Sequence, residues 1–326
     1  MAAEKVSDEE LMASIRSVGV SATSRLYQIN ERNVHKRRRN IEMRHGETIR
    51  TPFQHHPDIE AGRIYLDIPD GVVVSASDMH YWPGPPSLMH QALIRLIKRF
   101  KPSLVVVNGD VVDMGTVSRF PPLGWAELPT IQQELEVAQE RLHEIAMAAG
   151  KAKKIWTCGN HDSRFERRLV EKAPEYARVH GTSLKDHFPL WEPAWDVFVN
   201  DRAAQPGDRV VFKHRFKGGI HHAYNDALHS GRTIVTGDKH AAQIVQFTDL
   251  NGTRFGVDNG CIAHPQHRAF AYGENSPRQW RESFAILTFK GGRLMPPELV
   301  FRWDDDHVVF RGEIIAVRER MRATRV

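Results

Sequence analysis

Only two cysteines occur in the 326 residues, Cys158 and Cys261, too few for a disulfide framework or a cysteine-built zinc site. No uninterrupted apolar run approaches the ~18 residues that a membrane span needs, so no membrane is expected among the partners. Residues 1–8 are polar and acidic, without the apolar core of a secretory signal, and we expect a cytoplasmic protein. Internal repeats and low-complexity tracts are missing too, apart from a short basic tail at 318–325.

What the chain has is enough apolar material, 41% of its residues, to bury a sizeable core rather than stay disordered. A length of 326 residues suggests about two domains at ~150 residues each. The formal charge is +5, and 18 histidines add titratable positive charge. That surplus favours anionic partners, although many soluble enzymes carry a similar one.

Residues 7–46 read as helices. Ser7 is placed to cap a first helix through Leu11, Ile15 and Val18, stopped by Gly19. Ser21 is placed to cap a second, through Leu26 to about Asn30. A third runs from Glu31 to about His45, with Val34 and Ile41 inward and Arg32, Lys36, Arg37, Arg38 and Arg39 mostly outward. Helix, tight turn and basic helix is the layout of a helix-turn-helix reader, whose last helix enters the DNA major groove. Gln28 stands where such turns often carry glycine. The competing reading is a charged, solvated helical arm. We assign 1–48 to this segment, 49–70 to a Pro/Gly-punctuated linker and 71–326 to a catalytic domain.

That third part opens with alternating strands and helices. Strands at 72–76, 104–108 and 154–158 precede helices near 87–100, 130–149 and 164–179, which implies a mainly parallel sheet with covering helices. Beyond residue 205, strands at 209–213 and 233–236 flank a short helix at 222–229. Hairpin-like pairs follow, 243–249 with 254–258 around Asn251-Gly252 and 284–290 with 294–303 around Gly291-Gly292. We infer a second, largely antiparallel sheet packed on the first, an α/β two-sheet αββα sandwich behind a small helical N-terminal domain.

Four short blocks follow apolar strand-length runs: Asp78-Met79-His80, Gly109-Asp110, Gly159-Asn160-His161-Asp162 and Gly237-Asp238-Lys239-His240. Metal-binding side chains thus recur at the C-terminal ends of strands, where open α/β sheets bind ligands. Clustered oxygen and nitrogen donors around cations are what phosphoester hydrolysis needs.

The blocks, in this order, resemble the calcineurin-like metallophosphoesterase superfamily, including its double-strand-break-repair exonuclease branch. The resemblance implies that Asp78, His80 and His240 hold one divalent ion and that Asp110 bridges to a second. Asn160 would join the second ion together with a later histidine. His214 fits best, with His221 and His222 as alternatives that begin a helix. The family's last block usually reads Gly-His-X-His, and Asp238 here replaces a histidine. As a ligand, Asp238 is a harder donor and would favour Mn²⁺ or Mg²⁺ over Zn²⁺, with Fe²⁺ also compatible. The implied nucleophile is a metal-bridging hydroxide. His161 would be the general acid, oriented by Asp162. Asp113 either orients a ligand or caps a helix.

The site names a phosphoester without naming which one. The leading expectation is a DNA nuclease, on the N-terminal motif, the basic balance and the cluster Arg164, Arg167 and Arg168. Arg32, Lys36, Arg37, Arg39 and Arg164 are the candidate nucleic-acid contacts. Fusion of a helix-turn-helix to such a domain resembles virus-encoded members, which would place the protein in a host cytoplasm. The alternatives are a phosphatase or phosphodiesterase of small molecules or phosphoproteins, and a DNA-binding regulatory protein with a degraded metal site. A homodimer stays open.

Overall fold

A computed structural model of the chain describes residues 6–45, 49, 62–120, 127–273 and 279–317. The chain divides into two compact units, Met1–Ala61 and Gly62–Val326. The linker stretch 50–61 and the basic tail 318–325 lie outside the described residues.

In the first unit, α1 (Asp8–Val18) starts at a capping box. Ser7 accepts from the Glu10 N–H while the Glu10 carboxylate takes the Ser7 N–H. Gly19 ends α1 as expected. The second helix, α2 (Val20–Leu26), begins directly after Gly19, so Ser21 is not its cap; the Ser21 hydroxyl instead donates to Glu31 Oε1 at 2.7 Å. The turn to α3 (Glu31–His45) places Gln28 at φ 53°, so glutamine here takes the left-handed backbone that glycine often supplies. Leu11, Ile15, Val20, Val34, Ile41 and Ile49 form the core of this unit, and a Ser14–Thr23 hydroxyl pair at 2.8 Å is buried with them. Val18 and Leu26 are exposed.

The second unit is a sandwich of two sheets. The nine-stranded sheet pairs Gly71–Ala76, Leu104–Asn108, Lys153–Thr157 and Glu192–Ala194 in parallel. Ser283–Lys290 adds antiparallel to the edge of Gly71–Ala76. The six-stranded sheet is mixed, with Val210–Phe212, Thr233–Thr236 and Gly252–Asp258 parallel at its centre. Two expectations change. The late pair around Gly291-Gly292 extends the first sheet, and the second sheet is not largely antiparallel. Arg63–Leu66, read as linker, is a strand of the second sheet, pairing in parallel with Asp196–Val199.

Alternation along the strands explains the layers. Val73, Leu104, Val106, Leu287 and Phe289 face Val197, Val210, Phe212, Val235 and Val257 between the sheets. Val74, Val105, Val107 and Ile286 point to the opposite side, under helices Leu88–Phe100 and Ile131–Ala149. Ser87 and Thr130 cap those two helices. Helix His222–Ser230 packs on the six-stranded sheet, completing the αββα order. Among the described residues, no helix is long and apolar enough to cross a membrane.

Gly256 lets this helix approach its strand, because a Cβ there would collide with the Ala223 carbonyl. Gly256→Ala should cost about 3 kcal/mol or more in a denaturant titration; a loss under about 1 kcal/mol would mean that the contact yields.

Candidate metal centre

Four loops leave the C-terminal ends of Gly71–Ala76, Leu104–Asn108, Lys153–Thr157 and Thr233–Thr236. The first three strands belong to one sheet and the fourth to the other, so the loops meet across the rim that the sheets share. Their backbone is strained. Asp78 (φ 54°), His80 (40°), Asp110 (52°), Asp238 (67°) and His240 (57°) are all left-handed. Each such L-residue costs on the order of 1–3 kcal/mol and persists only when its surroundings over-determine it. Cross-loop hydrogen bonds do so here. The Asp78 N–H donates to Gly109 O (3.0 Å), and those of Met79 and His80 donate to Asp110 O (2.8 and 3.1 Å). A Cβ on Gly109 would strike the His214 ring, and one on Gly159 would strike Asp110, which accounts for both motif glycines.

The side chains converge. Ligand atoms of Asp78, His80 and His240 lie within 4.8 Å of one another, as do those of Asp78, Asp110 and His214. His240 Nε2 is 3.0 Å from Asp78 Oδ1, and His214 Nε2 is 3.2 Å from Asp110 Oδ2. His214 is therefore the later histidine that reaches the centre. His222 instead pairs with Asp258 at 2.6 Å. His161 also approaches His80 and Asp110, but its Nδ1 is committed to Asp113 Oδ1 at 2.9 Å.

The protonation pattern indicates what the centre holds. His214 Nδ1 donates to Asn108 O at 2.7 Å, which leaves a lone pair on Nε2. His80 Nδ1 faces Asp113 Oδ1 at 3.3 Å, which likewise leaves its Nε2 as a lone pair. Both Nε2 atoms, His240 Nδ1 and Asn160 Oδ1 are buried with no hydrogen-bond partner among the described residues. Each buried polar atom left so costs about 1–3 kcal/mol. Cations satisfy exposed lone pairs beside two carboxylates, so imidazole, carboxylate and amide donors together fit divalent metal ions. Without a cation a proton takes that place on His214: burial alone would lower its pKa, yet Asp110 and then Asp78 lift it to about 10, so Nε2 would exchange this proton for a metal ion. Burial opposes ionisation of Asp110 as well, but the surrounding histidines, His214 first, hold it well below the carboxylate range.

Two expected roles change. Asp162 does not orient His161. Its carboxylate accepts the N–H groups of Asp110 (3.0 Å), Val111 (2.8 Å), Val112 (3.3 Å) and Gly159 (2.9 Å) and the Trp156 indole N–H (3.0 Å). Asp113 orients His161 instead, and His80 with the same oxygen. It is not a helix cap: Met114 precedes the short 3-10 turn Gly115–Val117. Asp238 joins no ligand cluster among the described residues. Its N–H donates to Asp78, and its carboxylate pairs with Lys239, so the hard-donor argument for Mn²⁺ loses its basis. Arg164, a candidate nucleic-acid contact, donates to Asp113 O (2.8 Å) and lies 3.1 Å from His161 Nε2, so it stands beside the centre.

Burial would lower the His161 pKa, but Asp110 and Asp113 raise it and so favour the protonated ring. Glu134, not singled out in the sequence, accepts the N–H groups of Asp113 (2.9 Å) and Met114 (2.7 Å). Burial lifts its pKa to about 7. Its position in a helix heptad gives no sign of this role. Asp113, three residues after Asp110, does carry a spacing signal. Arg32, Lys36 and Arg39 are exposed along α3, whereas Arg37 is half-buried and tied to Asp8 at 2.5 Å.

A family model described as calcineurin-like phosphoesterase matches residues 72–256. No curated protein matches the chain. Among solved structures, Vps29 from Entamoeba histolytica, crystallised with Zn²⁺, aligns over 76% of this chain and 99% of its own, at 9% identity and a TM-score of 0.36.

Saturating a metal site at about a hundred times its Kd adds about 2.7 kcal/mol. Mn²⁺-loaded protein should therefore melt about 5–10 °C above EDTA-treated protein. Asp110→Asn should erase that increment in differential scanning fluorimetry. A melting temperature indifferent to every divalent ion would contradict the centre.

Proposed function

The chain belongs to the calcineurin-like phosphoesterase family, and on that premise we propose that it is a metal-dependent phosphodiester hydrolase acting on DNA. The observation that carries the chemistry is the clustering of His80, His214 and His240 with Asp78 and Asp110, each imidazole keeping a buried nitrogen with no hydrogen-bond partner among the described residues; Asn160 Oδ1 is buried in the same way. Asp78, His80 and His240 would hold one ion, and Asp110, Asn160 and His214 the other. When bound, two divalent ions supply Lewis acidity toward the phosphate oxygens and lower the pKa of water.

The chain's own groups do the rest. Asp113 accepts a hydrogen bond from the Nδ1–H of His161 and so turns the Nε2 face toward a leaving oxygen, to which Nε2 would give its proton. Arg164 now occupies that face, so a substrate must displace its guanidinium, which is then free to take a phosphate oxygen. A cavity of about 250 Å³ borders Asn160 and His214 and has Arg167 and Arg215 in its wall. Both stand where a neighbouring backbone phosphate could reach them. In the first unit, Arg32, Lys36 and Arg39 recur at i, i+4 and i+7, an exposed basic stripe on one helix face.

Purified protein with Mn²⁺ should cleave linear DNA, with Mg²⁺, Fe²⁺ and Zn²⁺ as parallel arms. His161→Ala should lose about 10²–10⁴ in rate while bound metal, measured by elemental analysis, is retained. Replacing Arg32, Lys36 and Arg39 with alanine should weaken DNA binding and reduce its salt slope by roughly 2–3. Hydrolysis of a small aryl phosphodiester with none of DNA would sink the DNA reading; no hydrolysis of either would sink the enzyme reading.

A further inference from the structure

A second cavity, about 370 Å³, borders the centre on the His80 side. Its size falls within the roughly 300–1,000 Å³ of small-molecule sites. Trp82 stands in its wall, edge-on to His267 with ring centroids 5.6 Å apart, and offers an aromatic surface.

Both guanidinium groups of the wall are paired, and His264 Nε2 lies 3.8 Å from Glu282 Oε2. Arg302 donates to Glu282 Oε2 at 2.6 Å and to Asp305 Oδ1 at 2.5 Å. Arg141 donates to Glu144 Oε1 at 2.8 Å. With both guanidinium groups satisfied by carboxylates, a second phosphate finds little to bind here, in contrast to the cavity at Arg167 and Arg215.

The unmet demand is for a donor. Glu282 is only 9% exposed, and its Oε1 is buried without a hydrogen-bond partner among the described residues. A buried carboxylate oxygen left so is costly until something donates to it. An aromatic surface, a neutralised wall and one unsatisfied acceptor describe a flat heterocycle that carries an N–H donor.

We propose that this cavity is the base subsite of the substrate nucleotide, with Glu282 Oε1 accepting from the exocyclic amine of adenine, cytosine or guanine beside Trp82. The assignment rests on the phosphodiester reading of the centre. Thymine fits poorly: its one edge donor, N3–H, lies between two carbonyl oxygens that would face the carboxylate.

The test uses the full chain loaded with Mn²⁺. Calorimetry should show deoxyadenosine monophosphate binding at least tenfold tighter than thymidine monophosphate. Their p-nitrophenyl esters should differ by the same factor in kcat/KM. Glu282→Gln, checked for folding by its Mn²⁺-dependent melting shift, puts an amide donor where an acceptor stood and should erase or reverse the preference. Trp82→Ala should weaken both nucleotides. Homopolymeric dA and dT oligonucleotides separate the sources of the base. The same preference in both places it in a strand, and preference confined to the mononucleotides places it in free nucleotide esters. Equal binding of the two monophosphates, or an unchanged preference in Glu282→Gln, would overturn the subsite. Preferential binding without hydrolysis of any phosphodiester would uphold the subsite and remove the enzymatic reading instead.

Discussion

One buried carboxylate holds the centre together. Asp162 takes five N–H donors, three from consecutive residues of the Asp110 loop, one from Gly159 and one from Trp156. Burial and the neighbouring Asp110 charge push its pKa up to about 6, and the donor ring is what keeps the anion tolerable there. Through Asp162, the loops that carry Asp110 and Asn160 become one object. Asp113, on the same loop, then fixes the rings of His80 and His161.

The strain in the other loops follows from that arrangement. Asp78-Met79-His80 and Asp238-Lys239-His240 share a left-handed backbone at first and third positions, although they leave strands of different sheets. Each turn aims chemistry at the rim, and the Asp238 N–H donates to Asp78, linking the two. The sandwich supplies stiffness for this, since apolar residues from both sheets interdigitate beneath the rim. Around it, the two flanking cavities differ in kind, one with Arg167 and Arg215 in its wall and one whose arginines pair with carboxylates beside Trp82. On the proposed reading, a centre for a phosphate would lie between surfaces suited to the charged and the flat parts of a nucleotide.

Much of this was legible in the sequence. Strand ends followed by Gly-Asp or Gly-Asn-His-Asp mark positions where backbone, glycine and donor coincide, and Asp78, His80, Asp110, His214 and His240 do converge. Misreadings came where sequence adjacency misleads. Asp162 sits beside His161 in the chain, yet its carboxylate turns back onto backbone N–H groups. Asp238 fills a ligand's position in the motif but is claimed by its neighbour Lys239. Sheet membership escaped as well. Arg63–Leu66 lies among linker-like residues, and the Gly291-Gly292 pair gave no sign of which sheet it would join. Gln28 shows the converse, a turn legible from its helices although the usual glycine is missing.

The central claim is that Asp78 and Asp110 bring two cations together among these histidines. Anomalous diffraction from crystals soaked in Mn²⁺ tests it most directly. The account predicts two peaks about 3.5–4 Å apart, one beside Asp78, His80 and His240 and one beside Asp110, Asn160 and His214. Peaks elsewhere, or none at full Mn²⁺ occupancy of the solution, would contradict it.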